Sequence, residues 1–313
     1  MNKIAWYNHV CRKQEVIKIK IAIIADIHGN PVALKEILRD AKENNVDEII
    51  YLGDLVNDFP FGNETLEMVK NSSNKVLRGN KEQYLIEYDE AQYDWDNIQF
   101  RNTRFMYKEL SRENLEYIKT LPKSMYVEYE DVRILFAHGS PESVEEQIHP
   151  EDRDLIEKYT KNLDADALIF GHTHDKMWKE IVNDKLVINA GCAGVSPYYV
   201  GGAEYVLLDI NGKNINVDLR VVNYDIEILR NKIKECGILE EDTVFMSLTF
   251  LGIDGHGKER YSFFREAKAR MLERNGKWYR DDAKGIFKYF KLFDDDIWLD
   301  LAEKYKEIFS FYK

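Results

Sequence analysis

The stretch IKIKIAIIADIHGN, residues 17–30, is the part of the sequence that decides the fold. An apolar run rich in β-branched residues stops at a polar turn, which is typical of a buried strand and its end. Four further runs stop in the same way at a side chain that can bind a metal ion: DEIIYLG before Asp54, KVLRG before Asn80, VRILFA before His138 and ADALIFG before His172 and His174. In an open α/β sheet, sites form beyond the carboxyl ends of the strands. We therefore predict a single metal site built by the five strand ends.

The spacing and chemistry of these side chains support that prediction. Asp26 and His28 lie two residues apart, as do His172 and His174, so each pair would face one side if the strand geometry continued. Carboxylates, imidazoles and an amide oxygen suit a divalent ion such as manganese, iron, zinc, cobalt or nickel. Two such ions about 4 Å apart can share a carboxylate, activate a bridging water and clamp a phosphoryl group. The pattern therefore favours a metal-dependent phosphohydrolase.

Composition narrows the class of protein and of partner. The chain has 313 residues, 44% hydrophobic and 32% charged, which is typical of a globular protein. It has no run of roughly 18 apolar residues and no secretory signal at its N-terminus, so we expect a cytoplasmic protein without a membrane partner. The net charge of -12 disfavours long nucleic acid. A small nucleotide remains compatible, because bound dications would reverse the sign locally.

The order of predicted elements is that of an α/β protein. Strand and helix alternate from residue 17, and a helix-periodic segment at 82–122 interrupts the alternation as a lid, a partner surface or simple packing. Hairpins are predicted around Asp131 and at Asn211–Gly212, and an amphipathic helix should end at Gly237. We place a domain boundary near 239. Residues 239–313 are predicted to be mainly helical and to supply a lid, an interface or stabilising contacts rather than catalytic groups.

Five short motifs carry a family resemblance. D-x-H-G-N at 26–30, G-D at 53–54, G-N at 79–80, H-G at 138–139 and G-H-T-H at 171–174 occur in order. Together they resemble the calcineurin-like metallophosphoesterase superfamily, especially its compact bacterial and archaeal phosphodiesterase branch. The resemblance covers roughly residues 17–238. It implies an α/β fold of two packed mixed β-sheets flanked by helices, with a helical insertion at about 82–122 and a helical C-terminal extension at 239–313.

The resemblance also implies a division of the ligands. One metal ion would be held by Asp26, His28 and His174, and the other by Asn80, His138 and His172, with Asp54 bridging the two. The implied catalytic residues are Asp54, Asn80 and His138. Asn30 would support the ligands or contact the substrate.

Three positions depart from relatives with protein-phosphatase chemistry. In those relatives a histidine follows the G-N asparagine and pairs with an aspartate, and this dyad protonates the leaving group. Here the two positions are Lys81 and Asn57, and the arginine next to the aspartate is Asp58. A phosphoprotein phosphatase is therefore disfavoured. For Lys81 we weigh a phosphate contact against a solvated lysine opening the next helix, and the solvated lysine is slightly favoured because two dications would repel the ammonium.

Other candidate groups receive simpler interpretations. The histidines at 9, 149 and 256 lack ligand partners at useful spacing, and we interpret them as surface or core residues. The cysteines at 11, 192 and 236 are widely spaced and predicted to be reduced, with Cys192 a packing residue rather than a nucleophile.

The sequence thus predicts a two-metal phosphohydrolase acting on a small phosphodiester or phosphoanhydride, with nucleotides among the candidates. A metal-bridging hydroxide would attack the phosphorus in line. One alternative is a phosphomonoesterase with the same site. Another is a scaffold that retains the fold without the chemistry, as the retromer subunit of this superfamily does.

Overall fold

The computed structural model describes residues 18–90, 98–129, 131–277, 293–309 and 311. The strands are β1 Lys18–Ile24, β2 Glu48–Tyr51, β3 Lys75–Val76, β4 Ser124–Tyr129, β5 Val132–Ala137, β6 Ala167–Phe170, β7 Trp178–Val182, β8 Lys185–Asn189, β9 Gly202–Asn211 and β10 Asn214–Asn223. The α-helices are α1 Pro31–Glu43, α2 Gly62–Ser72, α3 Asn80–Glu90, α4 Arg101–Glu109, α5 Arg112–Thr120, α6 Arg153–Thr160, α7 Ile226–Glu235, α8 Ile238–Glu241, α9 Thr243–Ile253, α10 Gly257–Asn275 and α11 Asp295–Tyr305. In these ranges no helix is both long and apolar enough to cross a bilayer.

The strands form two five-stranded mixed sheets. The first has the order β10-β9-β1-β2-β3, in which β1, β2 and β3 are parallel and β9 and β10 are antiparallel to their neighbours. The second has the order β4-β5-β6-β8-β7, with β5, β6 and β8 parallel. The predicted fold class, two mixed sheets flanked by helices with a helical C-terminal extension, is confirmed.

The alternation of side chains along β1 shows how the layers pack. Ile21 and Ile23 point to the second sheet and join a core with Ile134, Phe136 and other inward residues of β5, β6 and β8. Ala22 and Ile24 point the other way, into a core formed with α1, α2 and α7. Because successive strand residues face opposite sides, a strand that is apolar on both faces must be covered on both. This burial fixes the end of β1, and with it the position of Asp26.

Most predicted turns lie where the sequence places them. β4 and β5 pair antiparallel with Tyr129 opposite Val132, so the hairpin around Asp131 is confirmed. Gly237 follows α7 with a left-handed φ of 86°, the backbone conformation that glycine adopts most easily at a helix end. The β9–β10 turn is one residue later than predicted, at 212–213, because Asn211 pairs with Asn214.

The C-terminal helices join the main body through α9, which the sequence analysis did not identify. Its sequence TVFMSLTFLGI is apolar on all sides and buried. Met246 and Phe250 belong to the core beneath the first sheet, whereas Leu248 and Leu251 belong to a separate core with α10 and α11. The second of these cores is rich in aromatic side chains, including Phe263 and Trp298. The boundary near 239 stays a prediction.

Candidate metal centre

The loops that follow the strands hold their polar residues in an unusual backbone conformation. The strand geometry does not continue to Asp26 or His172, because β1 ends at Ile24 and β6 at Phe170. Five of the seven predicted ligands instead have left-handed φ values: Asp26 58°, His28 53°, Asp54 52°, His172 70° and His174 53°. This conformation is uncommon outside glycine, costs roughly 1–3 kcal/mol per residue and clusters at functional sites. The condition under which each pair would face one side, continued strand geometry, is therefore not met.

Hydrogen bonds between the loops maintain these conformations. The Asp26 and His28 amides donate to the carbonyls of Gly53 and Asp54, at 3.1 and 2.8 Å. On the other side, the Gly194 amide donates to the Asp26 carbonyl at 2.9 Å. The loop of β1 is thus held between its two neighbours.

Glu82 fastens the loops of β2 and β3 together, and the sequence analysis missed it. Its buried carboxylate accepts hydrogen bonds from the amides of Asp54, Leu55, Val56 and Gly79, at 2.9, 2.7, 3.1 and 2.8 Å. Burial, together with the charge of Asp54, raises the pKa of this carboxyl. Glu82 is the third residue of α3 and bonds to the amide that precedes the helix, as the glutamate of a capping box does. That spacing is the signal that could have identified it.

The first group of ligand atoms comes from Asp26, His28, Asp54 and His174, which each offer one atom within 4.8 Å of the others. The Nε2 atoms of His28 and His174 are 2.8 Å apart. Asp26 Oδ1 is 3.3 Å from His174 Nε2, and Asp54 Oδ2 is 3.7 Å from His28 Nε2. The side chains of Asp26 and His28 are fully buried.

The second group comes from Asp54, His138 and His172, whose ligand atoms also lie within 4.8 Å of one another. Asp54 Oδ1 is 3.4 Å from His138 Nε2, which in turn is 2.9 Å from Asn80 Oδ1. His138 Nδ1 is 3.0 Å from the Leu52 carbonyl, and this contact leaves Nε2 directed at the site. Asp54 therefore belongs to both groups, with one carboxylate oxygen facing each.

Two features indicate that the donor set is suited to cations. Among the described residues, the buried atom Asp26 Oδ1 has no hydrogen-bond partner. Asn80 directs its amide oxygen at Asp54, His138 and His172 while its Nδ2 donates to the Tyr84 hydroxyl at 3.0 Å. If the Asn80 amide were turned by 180°, its nitrogen would donate to those acceptors and would lie 3.0 Å from both Asp54 Oδ2 and His172 Nδ1. An amide oxygen among acceptors is favourable when a cation lies between them.

Glycines make room for the two carboxylates. A Cβ atom on Gly79 would lie 2.2 Å from Asp54 Oδ1, and one on Gly171 would lie 2.5 Å from Asp26 Oδ2. Any side chain at these positions would displace a candidate ligand. Glycine is therefore needed at these positions because the backbone passes too close to the candidate ligands for a side chain to fit.

The electrostatics of the pocket also favour positive charge. Burial raises the pKa of Asp26, but His174 and His28 outweigh it and hold this pKa well below the usual value. Burial lowers the pKa of His28, yet Asp58, Asp26 and Asp54 raise it to about 9, and His138 reaches about 9 largely through Asp54. Burial lowers the pKa of His172 to about 3. Without metal, protons on two imidazoles thus balance the carboxylates, and metal binding would displace them.

Lys81 and Asp58 form a buried ion pair behind the first ligand group. Lys81 Nζ is 2.8 Å from Asp58 Oδ1, and Asp58 Oδ2 is 3.1 Å from His28 Nδ1. The Lys81 side chain is only 16% exposed. The interpretation of Lys81 as a solvated lysine was therefore wrong, because the ammonium has an anionic partner that the sequence alone did not reveal. Asp58 orients His28, as carboxylates commonly orient ligating histidines.

The other predicted residues divide into positioning groups and remote groups. Asn30 caps α1 by accepting from the Ala33 amide at 3.0 Å and donates to the Gly194 carbonyl at 2.9 Å, so its amide supports the loops. Among the predicted surface or core histidines, His149 pairs with Asp175 at 2.7 Å and His256 is exposed, while residue 9 lies outside the described ranges.

Cys192 lies closer to the centre than expected. Its sulfur could join His28 and His174 in a ligand group. However, Sγ donates to the Asp26 carbonyl at 3.3 Å, and burial holds the pKa of this thiol well above its usual value. The protonated thiol is a packing and hydrogen-bonding group, consistent with its predicted role.

Comparison with known proteins agrees with this geometry. The profile of the calcineurin-like phosphoesterase family matches residues 19–176, a range that includes all seven predicted ligands. A metallophosphoesterase structure from Sphaerobacter thermophilus is 25% identical, covers 75% of this chain and 99% of its own, and superposes with a TM-score of 0.60. The structure of a hypothetical protein from Pyrococcus horikoshii OT3, 23% identical, covers 76% and 98% of the two chains with a TM-score of 0.63. A phosphodiesterase of Methanocaldococcus jannaschii is 24% identical over 196 residues, 62% of this chain and 95% of that protein. The chain therefore belongs to the calcineurin-like phosphoesterase family, a metal-dependent family of phosphoester hydrolases.

Proposed function

We propose that this protein is a cytoplasmic two-metal phosphohydrolase that cleaves a small phosphodiester or phosphoanhydride, with nucleotides among the candidate substrates. The observation that carries the proposal is the position of Asp54, whose Oδ2 faces His28 and whose Oδ1 faces His138. One ion would be held by Asp26, His28 and His174, the other by Asn80, His138 and His172, and Asp54 would bridge them. The donor set suits manganese, iron, zinc, cobalt or nickel.

The residues of the chain prepare the site for this chemistry. Bound divalent ions would supply an activated water and polarise the phosphoryl oxygens. His138 presents Nε2 because its Nδ1 contacts the Leu52 carbonyl, and the carboxylate of Asp58 lies 3.1 Å from His28 Nδ1 on the side away from His174 and Asp54. The backbone amide of Lys81 donates to Asp54 Oδ1 at 2.8 Å and fixes the orientation of the shared carboxylate.

The absence of the protonating dyad supports a substrate with a good leaving group. Lys81 is committed to Asp58, and the side chain of Asn57 is an amide without an acidic proton, so neither takes the part of an acid. Without that acid, a leaving group of high pKa departs slowly. Aryl diesters and phosphoanhydrides should be hydrolysed well, and simple alkyl monoesters poorly. The related M. jannaschii protein is named a phosphodiesterase, which agrees with this substrate class.

The test is a panel of mono-esters, diesters, cyclic nucleotides and dinucleoside polyphosphates, measured after reconstitution with each candidate metal. We expect kcat/KM to fall steeply as the pKa of the leaving group rises, because general acid catalysis normally offsets ~10²–10⁴ of that penalty. A flat dependence, with chemistry shown to be rate-limiting, would contradict the argument. Faster hydrolysis of mono-esters would favour the phosphomonoesterase, and full metal content without turnover would favour the scaffold.

A further inference from the structure

Arg260 is a cation of the C-terminal helices that interacts electrostatically with Asp58, beside the candidate metal centre. Arg260 is the fourth residue of α10, and its guanidinium packs on α9, where a Cβ atom added to Gly252 would lie 2.8 Å from Nη1. The side chain is partly buried. In the part of the chain that the structure describes, no carboxylate, carbonyl or aromatic ring pairs with this guanidinium. A buried charge without a partner costs free energy, so the arrangement is suited to an anion.

The turn between α9 and α10 places Arg260 beside the loop that supports the ligands. The Gly201 amide donates to the Ile253 carbonyl at 3.0 Å, and a Cβ on Gly257 would lie 3.2 Å from the Pro197 carbonyl oxygen. The same loop begins at Gly194, whose amide donates to the Asp26 carbonyl at 2.9 Å. The start of α10 is therefore connected to a metal ligand by a short series of direct contacts.

Two groups beside the candidate metal centre, Asp58 and Cys192, interact electrostatically with the Arg260 guanidinium. Burial lowers the pKa of Arg260, and the charges of Asp58 and Cys192 partly offset that effect. Asp58 is already paired with Lys81 and lies 3.1 Å from His28 Nδ1. For Arg260, in contrast, the described part of the chain supplies no paired anion.

We propose that Arg260 binds a phosphate group of the substrate at the candidate metal centre. This inference rests on the proposed phosphohydrolase function and names a binding residue for it. A guanidinium remains charged when buried and can donate two parallel hydrogen bonds to phosphate oxygens. It would attract an anionic substrate to a chain whose net charge is -12. The proposal adds a substrate contact to the lid, interface or stabilising role expected of residues 239–313, which were expected to supply no catalytic groups.

The decisive variant is Arg260→Gln, with Arg265→Gln as the matched control at an exposed position of the same helix. We expect Arg260→Gln to weaken the binding of inorganic phosphate, measured by calorimetry, and to lower kcat/KM for an aryl phosphodiester, each by about 10- to 100-fold. Metal content and melting temperature should stay at their wild-type values. Arg260→Lys should recover only part of the loss, because an ammonium cannot form the bidentate contact.

Phosphate affinity and kcat/KM equal to wild type in Arg260→Gln would overturn the proposal. If the variant does not fold, wild-type protein decides instead: phosphate should slow modification of Arg260 by an arginine-directed dicarbonyl, but not that of Arg265, as followed by mass spectrometry. Equal rates with and without phosphate would overturn it. The two proposals can fail separately. A metal-loaded protein that hydrolyses no phosphoester contradicts the proposed function, while phosphate binding to wild type and Arg260→Gln still tests Arg260.

Discussion

We call the edge of the two sheets where the candidate ligands lie the metal edge. The metal edge and the C-terminal helices contribute to the site in different ways. At the metal edge, buried strands end in strained loops whose polar side chains converge, and Asp54 joins the Asp26–His28–His174 group to the His138–His172 group. The C-terminal helices hold an aromatic core around Phe263 and Trp298, and we propose that they contribute the Arg260 side chain to the site. At the metal edge, the backbone conformation of the loops brings the candidate ligands together. In the C-terminal helices, a separately packed core carries the proposed phosphate-binding residue, Arg260. Substitutions in the two regions should therefore differ in kind.

The largest effect is expected for Asp54→Ala. The change removes the anion shared by both ligand groups, so we expect turnover to fall to the detection limit and metal content to decrease. Elemental analysis and kinetics on the purified variant measure both quantities. The control is Asp40→Ala, which breaks the ion pair between the carboxylate of Asp40 in α1 and Arg220 (2.8 Å). This variant should keep wild-type turnover and metal content. Wild-type turnover with full metal content in Asp54→Ala would refute the bridging role.

Asp58→Asn should weaken metal binding without abolishing it. The carboxylate orients His28 and balances Lys81, and loss of such an outer partner typically costs about 10- to 100-fold in metal affinity or activity. A competition titration with a chelator measures the affinity, and Lys81→Met serves as the comparison because it removes only the other partner of Asp58. Unchanged affinity in Asp58→Asn would show that His28 is oriented by the loop alone.

The residues of these two predictions show what the sequence could and could not reveal. The convergence of the candidate ligands could be predicted because apolar strands force the next polar residues to one edge of a sheet. The left-handed backbone at Asp26 and His28 was not, because hydrogen bonds from distant loops impose it. The pairing of Lys81 with Asp58 joins residues 23 positions apart and has no local signal.

The C-terminal helices were less predictable from the sequence, for a different reason. Helical periodicity marks which residues of α10 are buried, but it says nothing about which cation faces the metal edge. Helix α9 escaped prediction because it is buried on all sides, and an apolar run of 11 residues has no period to detect. The packing of the two sheets followed from the family resemblance, since strand patterns alone do not determine how sheets stack.

Substitutions at two glycines test the difference between the two regions through unfolding free energy and metal affinity. A Cβ on Gly194 would lie 1.8 Å from the Ile27 carbonyl oxygen, between two ligands, whereas one on Gly237 would meet nothing within 4 Å. We expect Gly194→Ala to cost about 1–3 kcal/mol of unfolding free energy and to weaken metal binding. Gly237→Ala should cost about 1 kcal/mol, for the left-handed backbone at φ 86°, and leave metal affinity intact. Urea unfolding and chelator titration of both variants test the contrast, and equal metal affinities would contradict it.

The smallest effect on the metal centre is expected from Asp242→Asn in the C-terminal helices. Asp242 is buried and caps α9 by accepting from the Phe245 amide at 3.0 Å, and burial raises its pKa to about 7. Between pH 4 and 7 the folded state therefore holds a proton that the unfolded state has lost, so stability from this group falls as pH rises, by up to about 1.4 kcal/mol per pH unit. Asparagine stays neutral and is an equally good cap, so the variant should gain stability over wild type progressively from pH 4 to 7 and show unchanged turnover.

The measurement is urea unfolding of both proteins at several pH values across that window, with kinetics at pH 7. Asp225→Asn is the matched control, because it makes the same change at the exposed cap of α7. A stability difference for Asp242→Asn that does not vary with pH would show that the buried carboxyl is not protonated in the folded protein. A loss of turnover would show something else: that α9 does more than support Arg260, and that the two regions are coupled more tightly than their separate cores indicate.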